Sequence, residues 1–511
     1  MTESNGLALA RDKMTEVGVP TQAIEAFTRL YHELERGAAG TISEADVRPL
    51  EDVPVRDELD VPDDVAQEAF AATAVIKLNG GLGTSMGIDR AKSLLPVRGD
   101  DTFLDLIAGQ VLAARERHGV RLPLVLMNSF RTREDTLAAL ERYPDLAVEG
   151  VPADFLQNRE PKLRADDLTP VEWAADPELE WCPPGHGDLY VALVASGVLA
   201  ALRDAGFRYA SVSNADNLGA FPDPRMAGWF AGTGAGFAAE VAQRTPADRK
   251  GGHLVVRASD GRLVLRETAQ VANEDKEAAG DIARHRFFNT NNLWLDLDRL
   301  AALLDEHDGV LPLPLIRNDK TVDPTDASST PVVQVETAMG AAIELFDDAA
   351  VVEVDRTRFL PVKTTNDLLL LRSDVYEVRD DSTVHALTPE PFVDLDPAHF
   401  KTLREFDARF PAGPPSLVLA ESLVVRGDWT FGVAVSAVGA ASLADPGEPA
   451  QVADDATVGA DGVVEPLEKT EVPDELDFTE PGEVQPQHAA RSQDPVDDQP
   501  TDQPTDEPVD A

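Results

Sequence analysis

Several short stretches of this chain carry residue types suited to phosphate, metal and sugar chemistry. Asn79-Gly-Gly-Leu-Gly-Thr-Ser-Met-Gly87 concentrates glycines, which let a backbone approach a ligand closely and turn N–H groups toward a phosphate or a base. Its spacing fits neither common nucleotide loop. A P-loop needs Gly, four residues, then Gly-Lys-Ser/Thr. A dinucleotide fingerprint needs Gly-x-Gly-x-x-Gly, and here Gly81, Gly83 and Gly87 leave the last gap one residue too long. Lys92 follows the loop in a chain short of cations and reads as a phosphate contact, against the usual fate of a lysine as a solvated surface group.

Four further stretches add to this. Pro183-Pro-Gly-His-Gly-Asp188 stands before an expected helix, where free N–H groups and the positive dipole end favour an anion. His186, flanked by glycines, is the candidate phosphate ligand there, and Cys182 beside it is a packing residue. Ser213-Asn-Ala-Asp-Asn-Leu-Gly219 closes an expected strand, with Asp216 placed to hold Mg²⁺, a hard cation that prefers carboxylate and phosphate oxygens. A plain Asn/Asp turn is the alternative at that point. Asn289-Thr-Asn-Asn292 is a set of amides suited to sugar hydroxyls, or an Asn-rich turn. Lys363 ends a short strand before a helix capped by Thr or Asn.

The elements needed to position these residues alternate. Thr73–Leu78 reads as a buried strand, Phe103–Arg117 as a helix, Leu122–Met127 as a strand and Arg131–Tyr143 as a helix. Leu189–Ala205 then reads as one helix and Tyr209–Ser213 as a strand. This alternation predicts an α/β protein with a parallel sheet, in which ligands sit at the carboxyl ends of the strands. His253–Leu265, with Asp260-Gly261 at its centre, predicts a β-hairpin. Ile24, Phe27, Leu30, Tyr31 and Leu34 share one face of an N-terminal helix. From Ser416 to Leu443, apolar triplets separated by glycine suggest a small β-solenoid. The expected domains are a helical segment over 1–70, a catalytic domain over 71–400, a solenoid over 401–465 and an acidic, Pro-rich tail over 466–511. The tail has almost nothing to bury and is expected to be disordered.

Bulk properties narrow the partners. A net charge of −47 over 511 residues argues against nucleic acid and anionic membrane. Asp461–Ala511 alone holds sixteen acidic residues against Lys469 and Arg491. No apolar run reaches the ~18–20 residues that span a bilayer, and the first residues lack a secretion signal's basic and apolar regions. One cysteine excludes an internal disulfide and a cysteine-based zinc site. A cytoplasmic location follows. The charge also sets a problem, since any phosphate-bearing substrate is repelled unless local cations, N–H groups or a divalent metal offset the field.

Six motifs together resemble the eukaryotic-type UDP-glucose pyrophosphorylase (UTP–glucose-1-phosphate uridylyltransferase) family. They are Leu78–Gly87, Trp181–Asp188, Ser213–Gly219, Phe288–Trp294, Val335–Ala342 and Arg358–Thr365, in family order. The likeness covers about residues 70–375, with a fainter one through Leu443. It implies a Rossmann-like, GT-A-like nucleotidyltransferase domain followed by a left-handed β-helix, and transfer from UTP to glucose 1-phosphate with Mg²⁺. It also implies roles at matching positions. Leu78, Asn79, Gly80 and Gly81 contact UTP, and Gly80 and Gly81 also border the sugar phosphate. Lys92 contacts phosphate beside the metal, Gln157 and Gly185 recognise uracil, and His186 faces the sugar phosphate. Asn214, Ala215 and Asp216 line the nucleotide, with Asp216 on Mg²⁺. Asn289, Thr290 and Asn291 hold the sugar. Lys363 contacts the UTP phosphates and is, with Lys92, the catalytic pair. If the chain forms a homo-oligomer, the β-helix is the expected contact.

The chain departs from the family at Ala91, where proline is usual, at Cys182, where tyrosine is usual, and in its tail. The chemistry implied is in-line attack by a glucose 1-phosphate oxygen on the α-phosphorus of UTP, with Lys92, Lys363, His186 and Mg²⁺ supplying positive charge. Two alternatives stand beside it: a UDP-N-acetylhexosamine or broad-specificity UDP-sugar pyrophosphorylase, and a non-catalytic scaffold of the same fold.

Overall fold

A computed structural model describes residues 4–464, except 38–39, 246–247 and 249–250. The expected disordered tail over 466–511 lies outside the described residues. Residues 4–464 fall within one compact unit.

The centre is a mixed sheet. Four strands, Asp154–Leu156, Leu124–Asn128, Thr73–Asn79 and Tyr209–Asn214, lie side by side and parallel, as the alternation predicts. All seven residues of Thr73–Asn79 are buried, because helices cover both faces of the sheet. Beyond Tyr209–Asn214 the sheet changes character. Phe287–Asp296 runs antiparallel to it and to Phe237–Gln243, and the latter pairs parallel with Ala350–Glu353. The expected parallel arrangement therefore describes four neighbouring strands of a sheet of ten.

The helices follow their local signals. Phe103–His118 starts at a Thr102/Asp105 capping box and stops at Gly119, whose φ is 64°. The apolar face of Thr21–Glu35 buries Ile24, Phe27, Leu30, Tyr31 and Leu34 as expected. The predicted helix over Leu189–Ala205 is instead two, Leu189–Ala195 and Val198–Asp204. Gly197 between them has φ 77°, a left-handed value that ends a helix. The His253–Leu265 hairpin forms as His253–Arg257 and Leu263–Arg266, and Val47–Pro49 adds an edge strand to it.

After residue 390, Phe392–Leu395, Ser416–Val425, Ser436–Leu443 and Thr457–Gly459 stack in chain order, each parallel to the next. Trp429–Phe431 and Ala450–Val452 form a second parallel ladder. Leu417, Leu423, Phe431, Val435 and Val458 fill the space between.

Candidate active site

Strands Thr73–Asn79 and Tyr209–Asn214 end level with each other, Leu78 opposite Asn214. The loops leaving them enclose a cavity of about 280 Å³. Leu78, Asn79, Gly80, Gly81, Lys92, Gln157, Gly185, His186, Asn214, Ala215 and Asp216 all line it, joined by Ser93, Met127 and Pro183. A larger cavity of about 680 Å³, along residues 40–47 and 257–259, holds none of the predicted site residues.

Two glycines stand where a side chain would meet a neighbour. A Cβ at Gly80 would lie 2.5 Å from Gln157 Oε1. Gly185 has φ 79°, and a Cβ there would lie 2.5 Å from the Thr337 carbonyl oxygen. Gln157 ties these loops together, its Nε2 donating to the Gly185 carbonyl at 2.8 Å. Asn79 faces inward, donating to Asn128 Oδ1 and Thr136 Oγ1, so it meets the cavity through its backbone.

Lys92 and Asp216, 124 residues apart, meet at 2.6 Å with side chains 16% and 20% exposed. The ammonium and the carboxylate neutralise each other in a largely desolvated place, and both line the cavity. Ala91 leaves this approach intact: its φ is −52°, close to the value a proline would impose.

His186 requires a correction. It is not a cation in this cavity: burial pushes its pKa down to about 4. Its Nδ1 accepts the backbone N–H of Met339 at 3.0 Å, which leaves Nε2 as the donor of a neutral imidazole. His186 can hydrogen-bond a phosphate oxygen, but it adds no charge near neutral pH.

The sugar-side residues stand outside the cavity lining. Asn289–Asn292 lie within a strand and not in a turn. The strand register shifts opposite Glu240 and Val241, so Thr290 and Asn291 have no partner across the ladder, and Asn291 takes φ 59°. The Thr290 hydroxyl donates to the Glu240 carbonyl, so its side chain is already engaged. Asn289 Nδ2 donates to Asn291 Oδ1 at 2.9 Å. Lys363 is exposed, with its ammonium 5.9 Å from the centre of the Phe359 ring. Glu267, whose carboxyl is raised by burial, feels the charge of Lys363. The backbone still brings Lys363 to the site: Asn217 bridges Pro361, and Val362 N–H points to the Asp216 carbonyl at 3.4 Å.

Sequence reasoning missed the buried polar floor beneath these loops. Glu240, fully buried, takes two hydrogen bonds from Arg358 at 2.8 and 2.9 Å. It takes two more, from Trp294 Nε1 and Asn292 Nδ2. Asn217 donates to Asn292 Oδ1 and accepts from Leu360 N–H, fastening the 214–219 loop to the 358–363 segment. Lys77 Nζ donates to Ser213 Oγ and the Ala220 carbonyl, bracing both ends of the same loop. Burial pushes the Lys77 pKa down to about 7. Asn217, Asn292, Trp294 and Arg358 lie inside the recognised motifs, which was the available signal. Glu240 lies in none.

Among the described residues no group of three His, Cys, Asp or Glu side chains could hold a metal ion by itself. Mg²⁺ is commonly held by one or two carboxylates together with substrate phosphates, and Asp216 is a carboxylate on the cavity lining.

A glycine-loop cleft at the carboxyl ends of parallel strands, with a lysine–aspartate pair at its floor, defines a nucleotidyltransferase of the α/β class. The chain belongs to the UTP–glucose-1-phosphate uridylyltransferase family, whose model matches residues 24–437. It is 40% identical over 388 residues to the UTP–glucose-1-phosphate uridylyltransferase of Astragalus penduliflorus, covering 75% of this chain and 80% of that one. The Saccharomyces cerevisiae protein of the same name is 40% identical over 363 residues, 70% of this chain and 71% of its own. Among solved structures, UDP-glucose phosphorylase from Trypanosoma brucei aligns with TM-score 0.82 and 41% identity over 89% of this chain and 100% of that one. A single-substitution variant of Leishmania major UDP-glucose pyrophosphorylase, in complex with UDP-glucose, aligns with TM-score 0.84 and 40% identity over 90% and 99%.

Proposed function

We propose that this chain converts UTP and glucose 1-phosphate into UDP-glucose and pyrophosphate. The carrying observation is the meeting of Lys92 and Asp216 on the floor of a cavity otherwise framed by backbone and amides. An attacking sugar phosphate is already an anion, so no general base is needed, and the obstacle is repulsion between two polyanions. The chain meets it by positioning and by charge. Gly80, Gly81, Gln157 and Gly185 seat the nucleotide, while Asn214 and Ala215 flank it. Lys92 turns from Asp216 to the phosphates. Asp216 would hold Mg²⁺, which would supply further charge neutralisation when bound. Neutral His186 donates Nε2–H to the sugar phosphate. Lys363 swings from Phe359 and Glu267 to the UTP phosphates, and Asn289, the 290 backbone and Asn291 meet the sugar.

The stacked parallel strands after residue 390 support reading them as the left-handed β-helix implied by the family likeness. Phe392 and Leu419, 60% and 70% exposed, support that region as the expected contact if the chain self-associates. No helix of the described residues is long and apolar enough to cross a membrane, and with the lone cysteine this favours the cytoplasm.

Pyrophosphate release from UTP, with glucose, galactose and N-acetylglucosamine 1-phosphates compared, tests the reading. The expected result is turnover with a clear preference for glucose 1-phosphate. Preference for the N-acetylated sugar would move the chain to the related specificity, and no release with any sugar would make it a scaffold.

A further inference from the structure

The strand end at Gln157-Asn158 and the turn Gly185–Asp188 are fastened by three hydrogen bonds. Gln157 Nε2 donates to the Gly185 carbonyl at 2.8 Å. Asn158 donates twice to the Asp188 carboxylate, from its backbone N–H at 2.6 Å and from Nδ2 at 2.8 Å. Asp188 N–H itself returns to the Gly185 carbonyl, so both partners ride on one tight turn.

A carbonyl oxygen only accepts, so the Gly185 bond decides which way the Gln157 amide faces. Its Oε1 is left on the side of the glycine loop, within 2.5 Å of where a Cβ at position 80 would stand. No described residue donates to that oxygen, and Gln157 lines the cavity. A base with a ring N–H, such as uracil, can donate to it. Cytosine presents a ring acceptor at the matching position and cannot. Turning the amide over, a half-turn about its last side-chain bond, would offer NH₂ instead and reverse the preference.

Asp188 holds the residue next to Gln157. It is 5% exposed, and burial pushes its pKa up to about 6. Glu160 nearby is 1% exposed and raised well above the usual carboxylate range by burial and by the Asp188 and Glu336 carboxylates. Burying a carboxylate is costly unless its hydrogen bonds are excellent. Here both oxygens serve the residue next to Gln157. We propose that Asp188 is a positioning residue that sets selectivity for nucleobases with a ring N–H donor, by locking the Gln157 amide through Asn158. This rests on Gln157 being the nucleobase contact of the proposed function.

The test measures kcat and KM for UTP and for CTP at saturating glucose 1-phosphate in the parent, Asp188→Ala, Asp188→Asn, Asn158→Ala and Gln157→Ala. Asp188→Ala should raise KM for UTP roughly 10- to 100-fold, the scale of hydrogen bonds to a buried charge, with kcat within about threefold. Its preference for UTP over CTP should fall at least about tenfold. Asp188→Asn keeps an oxygen for the Asn158 N–H, and Asn158 can turn its amide over to meet the new NH₂, so most selectivity should return. Asn158→Ala should act in the same direction more weakly, and it decides the matter if Asp188→Ala does not fold. The proposal is overturned if Asp188→Ala, or Asn158→Ala in its place, keeps the parent's UTP/CTP preference within about twofold while Gln157→Ala loses it. If Gln157→Ala also keeps that preference, the nucleobase reading fails, and the inference with it.

Discussion

The two sides of the cleft are built differently. On the side proposed for the nucleobase, Gly80 and Gly185 sit where a Cβ would meet a neighbour at 2.5 Å, and Gln157 and Asp188 are tied down by hydrogen bonds. On the opposite side Lys363 is exposed, rests over Phe359 and stands outside the cavity, although its backbone is anchored to the Asp216 loop. Rigid geometry suits binding that is equal in ground and transition states, whereas a cation that arrives late suits charge that develops during transfer. The comparison assigns KM chiefly to the first side and kcat chiefly to the second.

Lys363→Ala should therefore give the largest effect. Loss of one well-placed electrostatic contact typically costs about 10²–10³-fold in rate, and it should appear in kcat at saturating UTP. Lys363→Arg should recover little, because the guanidinium fork needs a different geometry. Turnover of the alanine variant within about threefold of the parent would make the lysine structural and erase the contrast between the two sides.

Gly80→Ala should do the converse. Its methyl collides with Gln157 Oε1, so KM for UTP should rise by about tenfold, the ~1.4 kcal/mol scale of one displaced contact, while kcat changes little. An equal fall in kcat would show that the nucleobase side also shapes the transition state.

His186 gives a smaller and pH-specific prediction. With a pKa near 4 the imidazole is neutral from pH 5.5 to 8. Asparagine at 186 can still accept the Met339 N–H. The ratio of parent to His186→Asn kcat/KM, which reports the free enzyme, should stay flat over that range. If the histidine were a working cation near its ordinary pKa, the ratio would climb as pH falls through about 6.5.

Truncation from Thr470 onward should have the least effect, with turnover within about threefold of the parent. That Pro-, Asp- and Glu-rich segment has little to bury. A loss above about tenfold would add a third region to the two compared here.

What was legible in the sequence divides along the same line. Strand-plus-loop units such as Thr73–Gly87 and Tyr209–Gly219 announce themselves, because a short apolar run followed by glycines or Asn/Asp marks a strand end locally. Much of the cavity lining was legible in this way, whereas Leu78, Gln157 and Ala215 entered only through the family resemblance. Features that depend on distant partners were not. His186 reads as a cation until Met339, 153 residues later, occupies its Nδ1. Asn289–Asn292 read as amides for sugar hydroxyls or as an Asn-rich turn, not as a strand, because amides disfavour strands. Glu240 and the Arg358 carbonyl satisfy the buried Asn292 amide. Glu240 itself looks like any strand glutamate until Arg358 closes on it across 118 positions. The break at Gly197 was local, but one glycine in an apolar run is weak evidence against a continuous helix.

The central claim is direct transfer between two phosphates, driven by positioning and charge and with no covalent link to the protein. It is tested most directly by the stereochemistry of the reaction. UTP made chiral at the α-phosphorus by one sulfur substitution is turned over with glucose 1-phosphate, and the configuration of the UDP-glucose analogue is determined. A single in-line displacement predicts inversion. Retention would require a protein nucleophile and two displacements, and it would contradict the account.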